Sequence, residues 1–308
     1  MSTDVGSWCD QSARRRAVAD QARRSLCDAP VTPAYRSALA AALALPGGIL
    51  SPDPDARWAR LVWTCCSAAG GAWPAAVPAA AAVELFMVAL DLLDDEEDGE
   101  DNPLRVQLGA GPALNVATGL LFLAQHSLLA AHGGRAVRRL LDAGMRACSG
   151  QHADLCVPPG RAVGLQDALD VTAAKAAPLV AAVCDLGAGV AGASDEVQER
   201  YAHFGWHVGM VAQLANDIMA LRPDAVGKTD VLLRWPTLPV VSALLQRGEV
   251  STAAGATGDD QMAPWTSSGV YLTWAVAETY RRHAVALLPG LTDDAGSSAA
   301  LAGLLDVL

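Results

Sequence analysis

The chain of 308 residues is rich in hydrophobic residues (52%), poor in aromatic ones (5%), and has 33 acidic against 22 basic residues. Its formal net charge of -11 at pH 7 argues against a nucleic acid or an anionic lipid surface as the partner, because both repel an acidic protein. Since Ala and Leu recur without blocks of β-branched residues, the composition predicts an all-α fold that binds a small molecule.

The chain begins with a polar and then weakly amphipathic stretch at 1–30, which predicts an N-terminal tail and a first helix. From 31 to 308, helical runs alternate with short breaks such as Gly133-Gly134, and this pattern predicts a single helical domain. We expect 248–264, with its Ser, Thr, Gly and Asp residues, to be a long surface loop. The N-terminus lacks an export-type apolar core and the seven cysteines show no ligand spacing, so we predict reduced thiols and a cytoplasmic protein.

The longest apolar run, at 75–93, is dominated by Ala, is interrupted by Pro78 and Glu84, and leads into a block of acids. A helix buried in the fold explains this pattern better than a membrane span. We therefore predict a soluble protein without stable membrane insertion.

The first acidic cluster follows this run. Asp91, either Asp94 or Asp95, and Asp98 follow one another at intervals of three or four residues and therefore lie along one stripe of a helix. Each like-charge pair at this spacing costs roughly 0.2–0.5 kcal/mol, and a bound divalent cation would reverse that cost. Oxygen ligands without Cys or His favour Mg2+, with Mn2+ as an alternative. The competing interpretation is a solvated acidic helix end.

A second polar set interrupts another apolar helical pattern at Gln213, Asn216 and Asp217, which together with Ala220 are expected to share one helix face. These residues are typical either of a buried hydrogen-bond network or of a second metal-binding set. Several Mg2+ ions around one diphosphate need carboxylates from more than one side, which favours the second interpretation.

The order of these motifs resembles that of the polyprenyl diphosphate synthase family, from about residue 36 to the C-terminus. The matching positions are Glu84 upstream of a DDxxD motif at 94–98, Asn115, Gly150-Gln151, Asp154, Lys175, Phe204-Gly205, Gln213, Asn216-Asp217, Lys228, Asp230 and Thr237-Leu238-Pro239. The resemblance implies a single-domain isoprenoid-synthase helical bundle around a central cavity. It also implies an isoprenoid diphosphate substrate, Mg2+ as the cofactor and a homodimer.

Site residues follow from the resemblance together with the two acidic clusters. The catalytic set is Asp94, Asp95, Asp98, Asn216 and Asp217; the metal ligands are these five and Asp224; the diphosphate-binding residues are Lys175, Gln213, Arg222 and Lys228; the cavity residues are Phe86, Met87, Leu90 and Gln151. Phe122, Phe204 and Trp206 are further candidates for the apolar wall, with a place in the core as the alternative.

The sequence departs from the family where basic residues are expected. An acidic segment replaces the Arg-Arg-Gly that normally follows the first motif, and no Gly-Lys-Arg lies between residues 46 and 60. Arg57, Arg60 and Arg105 are the only nearby cations that could bind a second diphosphate. Asn216, Ala220 and Asp224 have the spacing of the metal ligands of class I terpene cyclases, although Ala220 cannot bind a metal.

These departures favour ionisation of an allylic diphosphate followed by cyclisation or quenching to a terpene, as in a terpene synthase of the prenyl-synthase type. Two alternatives remain open. One is a chain-elongating prenyltransferase that condenses isopentenyl diphosphate with an allylic diphosphate. The other is a non-catalytic subunit of a prenyl synthase heteromer.

Overall fold

The structure, a computed structural model, describes residues 4–156, 161–221, 237–246 and 266–306. Within these ranges the chain forms helices joined by turns, and no β-strand is present. The prediction of an all-α fold is therefore confirmed. The predicted surface loop at 248–264 lies outside the described residues.

The helices, in chain order, are α1 (Asp4–Asp28), α2 (Pro33–Leu43), α3 (Arg57–Ala68), α4 (Val77–Asp98), α5 (Pro103–Leu108), α6 (Ala110–Leu155), α7 (Leu165–Lys175), α8 (Ala177–Val190), α9 (Asp195–Met219), α10 (Leu238–Gln246), α11 (Thr266–Leu287) and α12 (Ala295–Ala302). Short 3-10 turns precede α4 and flank α12. Proline at the first or second position begins α2, α4 and α5, where its missing N–H removes no helical hydrogen bond.

Two compact units make up the chain. The first comprises Met1–Arg139 and Leu186–Gln198, and its centre is α4 packed between α1 and α3. The α4 segment 79–83 is almost entirely buried, because four of its five side chains are Ala and neighbouring helices can approach closely. This burial fixes the helix that ends in the first acidic cluster.

The second unit comprises Leu140–Asp185 and Glu199–Leu308. Its core includes Leu214 of α9, Leu238 and Val241 of α10, and Ala277 of α11. Helices α10 and α11 approach so closely that a Cβ on Gly269 would lie 1.8 Å from the carbonyl oxygen of Pro239. Only glycine fits at this crossing, and α9 is held by the same core.

The break predicted at Gly133-Gly134 is a kink within α6 rather than a loop. Gly133 has φ 77° and ψ -179°, and the chain is helical on both sides of it. Because this φ lies in the left-handed region, glycine permits the kink without ending the helix.

Three stretches of the described chain are long and apolar enough to cross a membrane by length and composition: Trp73–Asp98, Ala110–Leu155 and Leu165–Val190. In the first, which contains the run at 75–93, 72% of the apolar window is buried inside the fold; the other two have 39% and 44% buried. The burial of the first stretch agrees with a core helix. Solubility of the whole protein stays a prediction.

Candidate active site

The first acidic cluster forms the last two turns of α4. The helix ends at Gly99, whose φ of 72° is left-handed and accommodates the turn toward α5. Asp91, Asp94, Asp95 and Asp98 therefore lie at the helical spacing that the sequence predicts. Acids at a helix C-terminus oppose the macrodipole, so this cluster works against the stability of its own helix.

Asp95 is the carboxyl group of this cluster with the clearest electrostatic perturbation. Its pKa is raised to about 6, mainly by burial and also by the neighbouring carboxylates of Glu100, Asp91 and Asp94, while the Asn102 amide partly opposes the shift. Asn102 is only 7% exposed, and its side-chain oxygen also accepts the N–H of Arg105 at the start of α5. The Asp95 carboxyl thus sits where an added positive charge would be favourable.

The donor chemistry of this cluster fits a hard divalent cation, because the carboxylates offer only oxygen ligands. In the described part of the chain, however, no group of three or more His, Cys, Asp or Glu side chains is gathered closely enough to hold a metal ion. The residues therefore fit Mg2+ by chemistry, while their side chains are not arranged around one point.

The nearby cations contact carboxylates of the protein itself. Arg105 bonds Glu96 at 2.6 Å and lies 3.6 Å from Asp101. Arg57 lies 3.6 Å from Asp55 and stacks over the Trp58 ring. Two of the three arginines proposed to bind a second diphosphate are thus already engaged.

Glu84, the acid upstream of the first motif, is buried within the first unit. Its carboxylate accepts the N–H of Ala59 at 2.7 Å and so caps α3, whose own N-cap residue, Ala56, provides no side-chain bond. Burial raises the pKa of Glu84 to about 7, the Ala59 bond opposes the shift, and Asp55 adds to it. Glu84 therefore joins α4 to α3.

The second polar set lies on α9 in the second unit. Asp217 is 7% exposed, and the Gln213 Nε2 donates to its Oδ1 at 3.0 Å. Asn216 is exposed, so it does not face the same side as Asp217, which differs from the shared face that the sequence predicts. Burial raises the pKa of Asp217 to about 6; Gln213 and Lys175 oppose the shift, and Asp154 adds to it.

Helices α6 and α7 bring further polar groups to Asp217. A Cβ on Gly150 would lie 2.7 Å from the Lys175 backbone nitrogen, so glycine allows α6 to pack against the end of α7. The adjacent Gln151 is 8% exposed, and neither its amide nitrogen nor its oxygen has a hydrogen-bond partner among the described residues. This buried amide is available to a ligand.

The remaining predicted residues differ in their placement. Arg222, Asp224 and Lys228 lie outside the described residues. Phe86 and Met87 are each 2% exposed, and Leu90 is partly exposed. Phe122 is 66% exposed, so its assignment to an apolar wall is wrong. The reason is that apolar helical spacing indicates a face but not what covers it.

Some residues near these sites were missed from the sequence. Asn102 follows the acidic block as an ordinary loop residue, and its N-cap position before Pro103 was the available signal. Asp154 was recognised only as part of a motif match, and its position three residues after Gln151 was the signal that both share a helix face.

A cluster of rings between α9 and α11 was also missed. His207 is 8% exposed and lies 4.9 Å from His203, 5.5 Å from His283, 5.2 Å from Trp206 and 5.9 Å from Tyr280, measured between ring centroids. Its Nδ1 is buried without a hydrogen-bond partner in the described structure. The pKa of His207 is lowered to about 4, mainly by burial and also by the two neighbouring imidazoles.

Comparison with known families and proteins gives one consistent result. The family model described as Polyprenyl synthetase matches residues 59–261. The (2E,6E)-farnesyl diphosphate synthase of Mycobacterium tuberculosis (strain ATCC 25618 / H37Rv) is 33% identical over 231 residues, which are 71% of this chain and 64% of the relative. The geranylgeranyl diphosphate synthase of the same strain is 33% identical over 212 residues, 64% of this chain and 61% of the relative. The chain thus spans less than two thirds of the length of these curated relatives.

Other matches widen the range of related proteins. Heptaprenyl diphosphate synthase component 2 of Geobacillus stearothermophilus is 34% identical over 131 residues, 38% of this chain and 41% of the relative. Among solved structures, a polyprenyl synthetase from Streptomyces coelicolor A3(2) has a TM-score of 0.79 at 23% identity, covering 96% of this chain and 97% of that chain. A decaprenyl diphosphate synthase from Rhodobacter capsulatus has a TM-score of 0.81 at 18% identity, covering 96% and 95%. At these identities the structural matches show a common fold.

Proposed function

The chain belongs to the polyprenyl synthetase family, and from that premise we propose that it is a Mg2+-dependent prenyltransferase that lengthens an allylic diphosphate with isopentenyl diphosphate. The main support is that its curated relatives are named as farnesyl and geranylgeranyl diphosphate synthases. These relatives favour chain elongation, the alternative left open by the sequence, over the cyclisation that the missing basic segments suggested.

The observation that supports this chemistry most directly is the pair of carboxylate sets on α4 and α9. Each contains an aspartate, Asp95 or Asp217, whose pKa is raised to about 6 by burial. A buried carboxyl group with a shifted pKa next to charged neighbours is typical of a functional site. We propose that each set, within its own unit, binds Mg2+.

We propose that Asp94, Asp95 and Asp98 of α4 form one Mg2+-binding set and that Asp217 of α9 belongs to another. When bound, Mg2+ supplies positive charge that stabilises the diphosphate leaving group. Because the pKa of Asp95 is about 6, this carboxylate is ionised and able to bind a cation above that pH. Asn216, Arg222, Asp224 and Lys228 remain proposed site residues by family resemblance.

In this proposal Lys175 binds the diphosphate and Gln213 orients Asp217. Lys175 ends α7 and lowers the pKa of Asp217, which places its charge near that carboxyl group. We propose that its ammonium group donates to diphosphate oxygens, since charge-assisted hydrogen bonds are the strong ones. The Gln213 amide holds Asp217 in a fixed orientation, and the buried Gln151 amide is available to the substrate.

Cyclisation is the second candidate function, and the state of the arginines favours it. Isopentenyl diphosphate needs convergent cations, but Arg57 contacts Asp55, and Arg105 contacts Glu96 and Asp101. A second diphosphate would have to use Arg60 or displace the carboxylates that contact Arg57 and Arg105. An allylic cation formed without a second substrate would instead be attacked by its own distal double bond or by water.

One experiment separates the candidates. The protein with Mg2+ is incubated with geranyl, farnesyl or geranylgeranyl diphosphate, with and without isopentenyl diphosphate, with EDTA-treated protein as the control. A five-carbon-longer diphosphate formed only with isopentenyl diphosphate supports elongation. A hydrocarbon or alcohol formed without it refutes elongation in favour of cyclisation. The absence of any turnover would support a non-catalytic subunit of a heteromer.

We also propose that the protein is a cytoplasmic homodimer. Residues 106–134 contain no Asp, Glu, Lys or Arg, and this stretch exposes Leu114 (47%), Phe122 (66%) and Leu129 (53%) on α6. An uncharged apolar helix face of this kind suits a subunit interface. Light scattering coupled to size-exclusion chromatography tests the proposal, and a monomer at micromolar concentration would refute it.

A further inference from the structure

Arg105 is the sole Lys or Arg in residues 61–134, a stretch that also contains nine Asp or Glu residues. Five of these acids are consecutive, at 94–98, in the last turns of α4. Acids at this end of a helix repel one another and oppose the macrodipole. The contacts of Arg105 show which of these carboxylates it pairs with.

The backbone of Arg105 is held firmly in α5. Its N–H donates to the Asn102 side chain at 2.8 Å, and its carbonyl oxygen accepts the N–H of Gly109 at 2.8 Å. The adjacent Leu104 is 1% exposed and anchors the helix in the core of the first unit. Because the backbone is fixed, the side chain loses less freedom when it forms an ion pair.

The side chain of Arg105 reaches back from α5 to α4. Its Nη1 lies 2.6 Å from Glu96 Oε2, in a pair whose side chains are 29% and 13% exposed, and its Nε lies 3.6 Å from Asp101. A half-buried ion pair is screened less by solvent than an exposed one. This contact closes the turn between α4 and α5, which also places Asn102 beside Asp95.

We propose that Arg105 is a positioning residue for the first carboxylate set: by binding Glu96 it fixes the end of α4 so that Asp94, Asp95 and Asp98 are presented to Mg2+, and it does not itself bind the substrate. This inference rests on the proposed function. The ion pair engages Glu96 Oε2, and Asp95 keeps Asn102 as its neighbour. Arg105 thus orders the motif through its contact with Glu96.

The decisive variant is Glu96→Gln combined with Arg105→Gln, because this pair of changes removes the ion pair without altering net charge. The single change Arg105→Gln would also make the site more negative, which by itself attracts Mg2+ and masks a loss of order. The matched control is Asp20→Asn with Arg23→Gln, which removes an exposed ion pair of 2.8 Å on α1, also at constant net charge.

Mg2+ binding to these variants is measured in two ways. One is the rise in Tm that Mg2+ produces without substrate, and the other is the Mg2+ concentration that half-saturates turnover. For the double variant we expect Mg2+ binding to weaken about tenfold in both, the size of effect typical of lost support around a metal ligand. At saturating Mg2+ we expect kcat within about threefold of wild type, since no group that contacts substrate is lost. The control should match wild type in both readouts.

Unchanged Mg2+ binding in the double variant would overturn the inference. A higher KM for the diphosphate with unchanged Mg2+ binding would also overturn it, because Arg105 would then contact substrate. If the double variant does not fold, Arg105→Lys replaces it. We then expect Mg2+ binding at least threefold weaker than in wild type, and unchanged binding would refute the proposal.

The Tm measurement also separates this inference from the proposed function, because it needs no substrate. A wild-type protein without turnover refutes the proposed function alone. A wild-type Tm indifferent to Mg2+ refutes the positioning role.

Discussion

Replacing Asp217 by Asn should make the protein more stable and abolish its activity. The buried carboxyl group has its pKa raised from 3.8 to about 6, so ionising it costs more in the folded than in the unfolded protein. Its contribution to stability is fully present below pH 3.8 and is lost as the pH rises through 6. Asn keeps the oxygen that accepts from Gln213 Nε2 but cannot ionise.

The size of the effect follows from the shift. At about 1.4 kcal/mol per pKa unit, the variant should gain about 3 kcal/mol in free energy of unfolding at pH 8 and roughly half of that at pH 5. Urea unfolding followed by circular dichroism in EDTA measures both values. Asp53→Asn, on an exposed loop, is the control and should change stability by less than about 0.5 kcal/mol.

Two results would refute this reasoning. A loss of stability at pH 8 would mean that the ionised Asp217, with Lys175 nearby, stabilises the fold. A gain that is equal at pH 5 and pH 8 would mean that the effect comes from packing rather than from ionisation. Activity should fall to background in the variant in either case, because the proposed metal ligand is lost.

Three further predictions concern other parts of the molecule. Asp94→Ala or Asp95→Ala should reduce turnover by orders of magnitude, because each removes a proposed Mg2+ ligand. Neither change should lower the Tm measured without metal, since each removes a carboxylate that repels its neighbours. Full activity in both variants would contradict the metal site. His207→Phe should remove a pH dependence of stability. Because the pKa of His207 is lowered in the fold, the wild-type free energy of unfolding should fall as the pH drops from 6.5 toward 4, by about 1.5 kcal/mol between pH 7.5 and 5.5. Urea unfolding that gives the same pH dependence for wild type and variant would disprove this. Glu84→Ala should lower the free energy of unfolding by roughly 1–3 kcal/mol at pH 6, because it leaves the Ala59 N–H unpaired. Glu84→Gln keeps a hydrogen-bond acceptor but cannot ionise, so it should stabilise the protein above pH 7. Thermal melts of the two variants measure both effects.

Some features of this protein depend only on neighbouring residues, and these could be predicted. Ala and Leu runs broken by Gly and Pro determine the helices, and the spacing of Asp91, either Asp94 or Asp95, and Asp98 places them on one stripe of α4 wherever that helix packs. The ordered motifs identify the family because each one is local. The proposal of a diphosphate substrate and a hard cation rests on the same local motifs, and it stays a proposal.

The burial of individual side chains, and the contacts that result from it, could not be predicted from the sequence. Gln213 and Asp217 are one turn apart, yet the sequence does not show that Asp217 is buried while Asn216 is exposed, because that depends on which side of α9 packs. Phe122 was misassigned for the same reason. The preference for cyclisation came from missing basic segments, and the curated relatives, which match 71% and 64% of this chain, shifted the proposal toward elongation.

The ionisation of the acidic side chains shows most clearly what the sequence determines and what the tertiary structure determines. The sequence by itself determined where the acids stand along each helix, since helical period is a local property. Only the tertiary structure decided that Asp95 lies beside Asn102, that Arg105 binds Glu96, and that Lys175 and Asp154 from other helices act on Asp217. A pKa depends on desolvation and on charges close in space, and packing brings those together from distant parts of the chain.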